Sequence, residues 1–351
     1  MLAPITHCSP LTTIHRVRVL PVAGRVLVRK GQKVSSTDVI AEVKMTPEHL
    51  LLDVGRGLGL PPSQADQHIQ HHAGDEVSEG DVIAGPVGLG RRVVRSPKAW
   101  RVVVAGSGQV LLELDSKPYE LKAGVPGIVS ELVTDLGAEI ETTGALIQGV
   151  WGNGQIGSGL LTVLARSPQD ILTRDRLDVS HRGAVVTGCH CEDPEVLNAA
   201  AEIPLRGLIL ASLDASLAPA ASKARLPIIL LEGFGQIPMN LAAFKLLTTS
   251  ERRDVTVNAE VWERYEGLRP EIIIPLPSSG SIPLPKETDM FSAGQKVRYT
   301  GALRKSVVGT LTSLSVGLTT LSSGLQSPTA EVRVENGETF ELPLANLEIL
   351  D

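Results

Sequence analysis

The chain has 351 residues, of which 42% are hydrophobic and only 3% aromatic, and it carries a net charge of −6 with a pI near 5.8. This length is enough for two or three domains, whose cores must consist mostly of Leu, Val, Ile and Ala. Because nucleic acids and anionic membranes attract basic surfaces, the acidic balance argues against broad binding to either.

The three cysteines, Cys8, Cys189 and Cys191, are too few for a disulfide scaffold and favour the reducing cytoplasm. The N-terminal segment contains Pro4 and Pro10 without a long apolar stretch, so we do not expect a signal peptide. No run of about eighteen apolar residues occurs, and we therefore expect no membrane insertion. These observations together predict a cytoplasmic protein.

A short phrase occurs three times in the first part of the chain, at residues 31–40, 74–83 and 137–146. In each copy a Gly is followed three residues later by a β-branched residue, and seven residues later by an Asp or Gly before an apolar pair. The Gly supplies the positive φ of a turn, and the later Asp or Gly starts the next strand. The repetition predicts a compact β module built from similar hairpins.

Residues 1–154 are predicted to form this β-rich domain. Within it, residues 91–101 hold five Lys or Arg, which we interpret as a solvated strand edge. We also expect two strands, at 17–22 and 24–29, and a short helix at 60–69 with Ser63 as a candidate N-cap. A hairpin with a glycine turn is expected at 102–114.

Three strand-then-helix units follow in residues 155–275. Asp193 and Pro194 have the residue types of an N-cap and a first helical position. Consecutive units of this kind favour a parallel sheet with right-handed crossovers, so the segment predicts a Rossmann-like α/β domain. The expected strands are at 183–187, 206–212 and 226–231, and the expected helices at 193–202, 215–224 and 240–247.

The remaining residues predict a linker and a small β-barrel. Residues 276–290 are rich in Pro, Ser and Gly, which is typical of a linker. Residues 291–351 alternate in the manner of short strands, with a hairpin turn at 335–337. The expected strands are at 297–299, 307–311, 330–334 and 339–342.

The phrase Gly-Asp-x-Val-x-x-Gly-Asp-Val-Ile-Ala at residues 74–84 resembles the signature turn of biotinyl and lipoyl carrier domains. These domains are barrel-sandwich hybrids, a class that also occurs in electron-transport complex subunits and in RNA polymerase. Residues 294–298, 309–311 and 342–349 are similar to a KOW or SH3-like barrel. The expected fold class is therefore multidomain α/β plus all-β: a barrel-sandwich hybrid, a parallel Rossmann-like sheet and a small SH3-like β-barrel.

A barrel-sandwich hybrid before a Rossmann-like domain also resembles the membrane-associated subunits of sodium- or proton-coupled electron-transport complexes. Those relatives carry clustered cysteines for iron–sulfur centres or a flavin-binding glycine loop. This chain has neither, so the resemblance implies no redox role here.

A carrier domain holds biotin or lipoate on a lysine at a hairpin tip, and Lys44, within residues 42–45, is the candidate. It follows Gly31 by thirteen residues, fewer than in carrier domains, and Val43 stands where a Met is expected. We therefore expect Lys44 to be an ordinary solvent-facing lysine and the chain to carry no cofactor.

Two short clusters contain residue types that bind metals. The Cys-His-Cys run at 189–191 offers fewer ligands than the four of a usual zinc site, and strand geometry predicts its cysteines on one side and its histidine on the other. His68 and His72, with His71 beside them, share one face of the expected helix without a carboxylate partner. We interpret the first cluster as small buried residues plus a loop histidine and the second as a polar helix face, and expect no metal.

The candidate ligand site is the edge where the strands of the expected α/β domain meet their helices. The backbone amides of Gly233, Phe234 and Gly235 are placed to hold an anion, and Gly188 and Ser212 lie at equivalent positions. The alternative is a tight strand-to-helix turn. Neither a dinucleotide fingerprint nor a phosphate-loop or nucleophile motif occurs, so we name no catalytic residue.

These observations favour a non-catalytic adaptor or scaffold that binds a protein partner through its β modules. Two alternatives stay open. The first is a small-ligand or nucleotide-binding protein, or an enzyme, that uses the strand edge. The second is nucleic-acid or ribosome contact through the C-terminal barrel, although residues 294–351 hold five Lys or Arg against six Asp or Glu.

Overall fold

The computed structural model describes residues 2–44, 48–88, 90–114, 118–263, 268–277, 282, 284–300, 307–334 and 337–351. The chain is mostly β, with 47% strand and 15% helix. Its two compact units are Met1–Val19 with Val28–Ile40 and Lys122–Asp351, and Leu20–Leu27 with Ala41–Leu121. These units do not test the domain boundaries expected from the sequence, which stay a prediction.

The strands up to residue 133 are β1 (Leu2–Thr6), β2 (Cys8–Val19), β3 (Arg25–Val26), β4 (Lys33–Val34), β5 (Val39–Val43), β6 (His49–Asp53), β7 (Glu76–Val77), β8 (Val82–Val87), β9 (Arg92–Arg95), β10 (Trp100–Gly106), β11 (Gln109–Glu113), β12 (Tyr119–Lys122) and β13 (Gly127–Val133). The strands of the middle region are β14 (Gly137–Gln148), β15 (Trp151–Gly152), β16 (Ile156–Val163), β17 (Val185–Thr187), β18 (His190–Cys191), β19 (Gly207–Leu213), β20 (Ile228–Phe234), β21 (Asp254–Asn258) and β22 (Glu271–Pro275).

The last strands are β23 (Thr288–Met290), β24 (Lys296–Tyr299), β25 (Val307–Leu314), β26 (Thr319–Thr320), β27 (Gln326–Ser327), β28 (Thr329–Val334), β29 (Thr339–Pro343) and β30 (Leu347–Leu350). The α-helices are α1 (Val54–Leu58), α2 (Pro62–Ala65), α3 (Pro194–Glu202), α4 (Ala218–Lys223) and α5 (Leu241–Thr249). Short 3₁₀ turns lie at Asp66–His68, Arg174–Arg176, Val179–His181, Ala215–Leu217 and Leu344–Asn346.

The expected fold class, multidomain α/β plus all-β with a parallel Rossmann-like sheet, is wrong: the chain is mostly β, and no Rossmann-like sheet occurs among the described residues. β16, β17, β19 and β20 do pair in parallel, but they lie inside one mixed sheet of twelve strands. β16 continues antiparallel into β21, then β22 and β14, and β15 pairs antiparallel with β20 at the other end. The three expected strands do pair in parallel as β17, β19 and β20, but β16 was not among them. The order of strands and helices along the chain contains no information about these long-range neighbours.

Apolar side chains cover both faces of the parallel strands. On one face, α5 packs through Ala243 and Leu247 against a core that includes Ile209 and Ile229. On the other face, α3 and α4 pack against Leu208 and other buried aliphatic side chains. Because both faces are covered, β19 is buried along its whole length.

The C-terminal strands form a seven-stranded sheet in the order β23-β1-β30-β24-β25-β28-β29. β1 from the start of the chain runs parallel to β30, with Ile5 opposite Ile349. The core of this sheet includes Val297, Leu311 and Val332. In the expected turn at 335–337, Glu335 and Asn336 lie outside the described residues, and so do residues 278–281 and 283 of the expected linker.

The unit of Leu20–Leu27 and Ala41–Leu121 contains a four-stranded sheet in the order β6-β11-β10-β7. The expected helix over 60–69 is α2 followed by a 3₁₀ turn, and Pro61 rather than Ser63 is its N-cap residue. α1 was not among the expected helices; the Asp53 carboxylate caps its start, and Gly59, with a positive φ, caps its end. Among the described residues, no helix is long and apolar enough to cross a bilayer.

The first two copies of the repeated phrase form the predicted glycine turns, whereas the third does not. Gly31 and Gly74 have φ values of 82° and 99°. Asp38 and Asp81 then accept hydrogen bonds from the amides three residues earlier, at 2.8 Å each. The third copy has Gly144 at this position and runs without interruption through β14. The carboxylate, rather than the glycine alone, distinguishes the copies that turn.

Candidate functional site

The structure brings most of the predicted strand-edge residues together. Ser212 on β19 lies opposite His190 on β18 and opposite Gly233 on β20, and Phe234 lies opposite Leu213. These residues form the carboxyl edge of three neighbouring parallel strands, where the sequence predicts a ligand site.

Gly188 does not share that environment. Its amide donates to Ile209 O, and a Cβ at this position would lie 2.8 Å from a methyl carbon of Leu172. The space beside Gly188 is therefore filled by the chain itself. This glycine is explained by close packing rather than by a ligand.

The Ser212 hydroxyl is buried and has three polar neighbours. Oγ donates to Ile237 O at 2.8 Å, accepts from Ile237 N at 3.1 Å and lies 2.9 Å from His190 Nδ1. Because the single hydroxyl proton bonds Ile237 O, we assign the proton between Ser212 and His190 to Nδ1, which donates. Ser212 therefore ties the turn after β20 to β18, and it is not exposed as a nucleophile.

The His190 ring is buried with its second nitrogen near an exposed carboxylate: Nε2 lies 3.8 Å from Glu192 Oε2. Its backbone is held as well, since His190 N donates to Asp170 O and Leu172 N donates to His190 O. The sequence favours a loop position for this histidine, whereas it lies on β18. The buried polar contact with Ser212 depends on strand register, which residue spacing does not reveal.

The prediction that Cys189 and Cys191 lie on one side of the strand is wrong. The carbonyl of Cys189 accepts from both Ala211 N and Ser212 N, an irregularity that breaks the alternation of side chains between β17 and β18. Cys189 packs into the core beneath α5, and Cys191 into the core beneath α3. Burial raises the pKa of these thiols to about 12 and about 11.

No group of three His, Cys, Asp or Glu side chains suited to a metal ion occurs in the described part of the chain. The helical spacing expected for His68 and His72 is not formed, because the 3₁₀ turn ends at His68. His71 Nδ1 instead lies 3.6 Å from Asp75 Oδ2. Lys44 is exposed directly after β5, and Met45 lies outside the described residues.

The turn after β20 has room on its outer side. Gly233 and Gly235 have φ values of 110° and 95°, and a Cβ on Gly235 would meet no atom within 4 Å. Phe234 between them is partly exposed and packs edge-on against Trp151, with 5.6 Å between ring centroids. Two aromatic rings, one of them from β15, therefore lie beside this glycine turn at the strand edge.

A buried charged network, which the sequence analysis missed, holds the other side of this turn. Arg298 Nη1 donates to Glu232 Oε2 at 3.0 Å, and Arg298 Nε donates to Glu348 Oε1 at 2.6 Å. Glu232 Oε1 accepts from both the amide and the side chain of Asn240, which caps α5. Arg269 reaches the second oxygen of Glu348 at 3.4 Å. The C-terminal sheet is thereby bonded to the end of β20.

A hairpin at residues 314–327, called here the apolar hairpin, holds several of the most exposed apolar side chains among the described residues. β26 pairs with β27, and the Leu321 amide donates to Leu325 O across the turn. Val316 is fully exposed, and Leu318 and Leu325 are 65% and 68% exposed. Residues 311–330 contain no Asp, Glu, Lys or Arg. That uncharged stretch was visible in the sequence and is the signal that the sequence analysis overlooked.

Hydrogen bonds at its base give the apolar hairpin a defined conformation. Ser315 N and Oγ donate to Thr329 O at 3.0 and 2.9 Å, and Thr329 N donates to Ser315 Oγ at 2.9 Å. Thr329 Oγ1 in turn donates to Glu341 Oε1 at 2.7 Å, which joins the base to β29. The exposed aliphatic side chains are therefore presented on a preorganised element.

Comparison of the chain with protein-family models, with curated proteins and with solved structures found no match.

Proposed function

We propose that this chain is a scaffold protein that binds a protein partner and has no catalytic chemistry of its own. The observation that carries the proposal is the apolar hairpin, which leaves Val316, Leu318 and Leu325 in water on an ordered element. Burying such a side chain against a partner contributes about 1.5–3 kcal/mol. Natural sheets usually protect exposed hairpins with charge, so an uncharged one suits a contact surface.

The chemistry of the apolar hairpin favours a protein over a nucleic acid or a membrane. Phosphate and anionic lipid are bound by Lys and Arg, which residues 311–330 lack. The same twenty residues include nine Ser or Thr, whose hydroxyls need hydrogen-bond partners when buried. A protein surface supplies those partners, whereas the hydrocarbon of a bilayer does not.

The contacts at the strand edge support a structural use of the residues there. The Ser212 hydroxyl is engaged by Ile237 and His190, and the Cys189 and Cys191 thiols face different cores. These side chains hold strands and turns together, and this structural use supports the scaffold proposal.

The experiment is affinity purification from the native host with the wild-type chain, with Val316→Ser/Leu318→Ser/Leu325→Ser, and with Val179→Ser as a matched control. Val179 is also an exposed aliphatic residue but lies on a 3₁₀ turn outside the hairpin. A protein retained by the wild type and the control should then be purified and its affinity measured. We expect at least about a tenfold loss of affinity for the hairpin variant. Equal affinity for all three proteins would contradict the proposal.

A second candidate function is binding of a small ligand at the turn of Gly233–Gly235. The specific observation is the open space beside Gly235 together with the Trp151–Phe234 ring pair. A thermal-shift screen of nucleotides, phosphates and aromatic metabolites tests it. A stabilising compound supports this function if Gly235→Asp abolishes the shift; a full screen without a shift contradicts it.

A further inference from the structure

His7 is the single residue between β1 and β2, where the chain passes from the seven-stranded sheet into the twelve-stranded sheet. Its backbone is held on two sides. His7 N donates to Gln148 Oε1 at 3.0 Å, and Gln148 N donates to His7 O at 2.9 Å. Asp351 N donates to Thr6 O, and Cys8 N donates to Asp351 O, so Asp351 lies directly opposite His7. His7 is therefore the point at which the two sheets are joined.

The His7 ring is buried with one nitrogen unpaired. Its side chain is only 4% exposed, and Nδ1 forms no hydrogen bond with any residue that the structure describes. The carbonyl of Lys286 accepts from the ring, while the Lys286 ammonium lies 3.6 Å from Asp289. We therefore assign the proton of the neutral ring to Nε2, which leaves a lone pair on Nδ1. That lone pair faces Asp351 Oδ2, also an acceptor, at 3.5 Å.

The charges around the ring oppose its protonation more than they favour it. Asp351 is the attracting group, but its carboxylate is mostly exposed and water weakens the attraction. Two arginines act in the other direction, and each is bonded to a buried glutamate: Arg16 to Glu271 and Arg269 to Glu348. Arg269 also donates to Ile5 O, two residues before the histidine. Burial is the largest effect, and together these groups hold the pKa of His7 below its usual value.

We propose that His7 is a pH-sensitive switch, in which protonation of the buried ring loosens the pairing of β1 with β30. An imidazolium here is a third positive charge beside Arg16 and Arg269, and it gains its full hydration only by leaving the interior. Moving the ring outward pulls on a backbone that Gln148 and Asp351 hold on either side. The nearest pairs of the parallel ladder, residues 5–6 with 349–350, are the first to separate. This inference goes beyond the proposed function and requires no partner.

The direction of the pH effect follows from the lowered pKa. In the opened state the ring is in water and titrates near its usual value of 6.5, so it binds protons more readily than in the closed state. The neutral ring therefore favours the closed state fully above that value, and the preference is lost as pH falls toward the lower pKa. One pH unit below the usual value, the opening equilibrium has increased by at most about tenfold.

Hydrogen exchange of the full-length chain, measured by mass spectrometry at about pH 7.5 and about pH 5.5, tests the switch. Rates are corrected for the intrinsic pH dependence of exchange. Peptides from β1 and β30 report opening, and β19 is the internal reference because it is buried along its whole length. His7→Gln keeps an N–H donor but does not titrate. His49→Gln, at an exposed position of β6, is the matched control.

We expect exchange in β1 and β30 to accelerate by about threefold to tenfold at the lower pH in the wild type and in His49→Gln. In His7→Gln it should change by less than about 1.5-fold, because the side chain stays neutral at both pH values. Unchanged protection in the wild type overturns the inference. An acceleration in a folded His7→Gln equal to that of the wild type overturns it as well.

A second measurement decides the matter even if His7→Gln does not fold. The exposed side-chain change Asp351→Asn removes the attracting carboxylate, so it should lower the pKa of His7 further. Nuclear magnetic resonance of chains labelled with ¹³C at histidine follows each ring, and the resonance whose midpoint moves in Asp351→Asn identifies His7. We expect that midpoint to lie below 6.5 in the wild type and lower still in the variant. A wild-type midpoint at or above 6.5, or no resonance that moves downward, contradicts the switch.

Discussion

Ser212 Oγ and His190 Nδ1 lie 2.9 Å apart across neighbouring parallel strands, and both side chains are buried. The same oxygen makes two further bonds with the backbone of Ile237, so one hydroxyl joins β18, β19 and the turn after β20. At Ser212, the strand edge where we expected a ligand is therefore filled by buried hydrogen bonds between parts of the chain.

Replacing the hydroxyl should therefore destabilise the fold. Ser212→Ala removes the hydroxyl that bonds His190 Nδ1 and Ile237 O, two buried polar groups, whereas the Ile237 amide keeps its bond to Gly235 O. We expect a loss of about 1–3 kcal/mol in the free energy of unfolding, measured by urea denaturation. Ser222→Ala, at an exposed helical position, should change it by less than about 0.5 kcal/mol. Equal stability of the two variants would show that the Ser212 bonds contribute nothing net.

The Arg298 network predicts a larger effect from a single substitution. Arg298→Met removes the shared cation and leaves Glu232 and Glu348 buried, so we expect a loss of about 3–5 kcal/mol in the free energy of unfolding. Arg333→Met, at an exposed position of β28, is the control and should be close to wild type. Adding Glu232→Gln to Arg298→Met should recover part of the loss, because the buried charge of Glu232 is then gone while Glu348 keeps its ion pair with Arg269. A further loss in the double variant would count against this explanation.

The elements that the sequence predicted correctly are those set by neighbouring residues. Asp193 caps α3 as expected, and the runs of buried aliphatic residues at 206–212 and 226–231 are β19 and β20. What failed depends on residues far apart in the chain. The antiparallel partner of β16, the Arg298–Glu232 pair and the irregularity at Cys189 all arise from tertiary register, which single-sequence periodicity does not contain.

The stability of the chain should fall in acid partly through Glu348. Burial opposes ionisation of this carboxyl, but Arg298 and Arg269 outweigh burial and hold its pKa below the usual range. A carboxyl whose pKa is lower in the folded state stabilises the fold above its unfolded pKa, and the contribution is lost as pH falls through the folded pKa. Unfolding free energies measured between about pH 6 and pH 3 should decline, and more steeply for wild type than for Glu348→Gln. Identical slopes would exclude Glu348 as a source of the decline.

The two cysteines of the strand edge should be unreactive in the folded chain. Burial raises the pKa of the Cys189 thiol to about 12 and that of Cys191 to about 11, so almost no thiolate is present near neutral pH. We expect alkylation by iodoacetamide at about pH 8 to be at least about a hundredfold slower than for the same cysteines in urea, where the thiol pKa is ordinary. Peptide mass spectrometry over a time course gives the rate at each cysteine separately. Fast labelling of Cys189 alone would mean that the core beneath α5 opens, whereas fast labelling of both would mean that β18 itself detaches from β19.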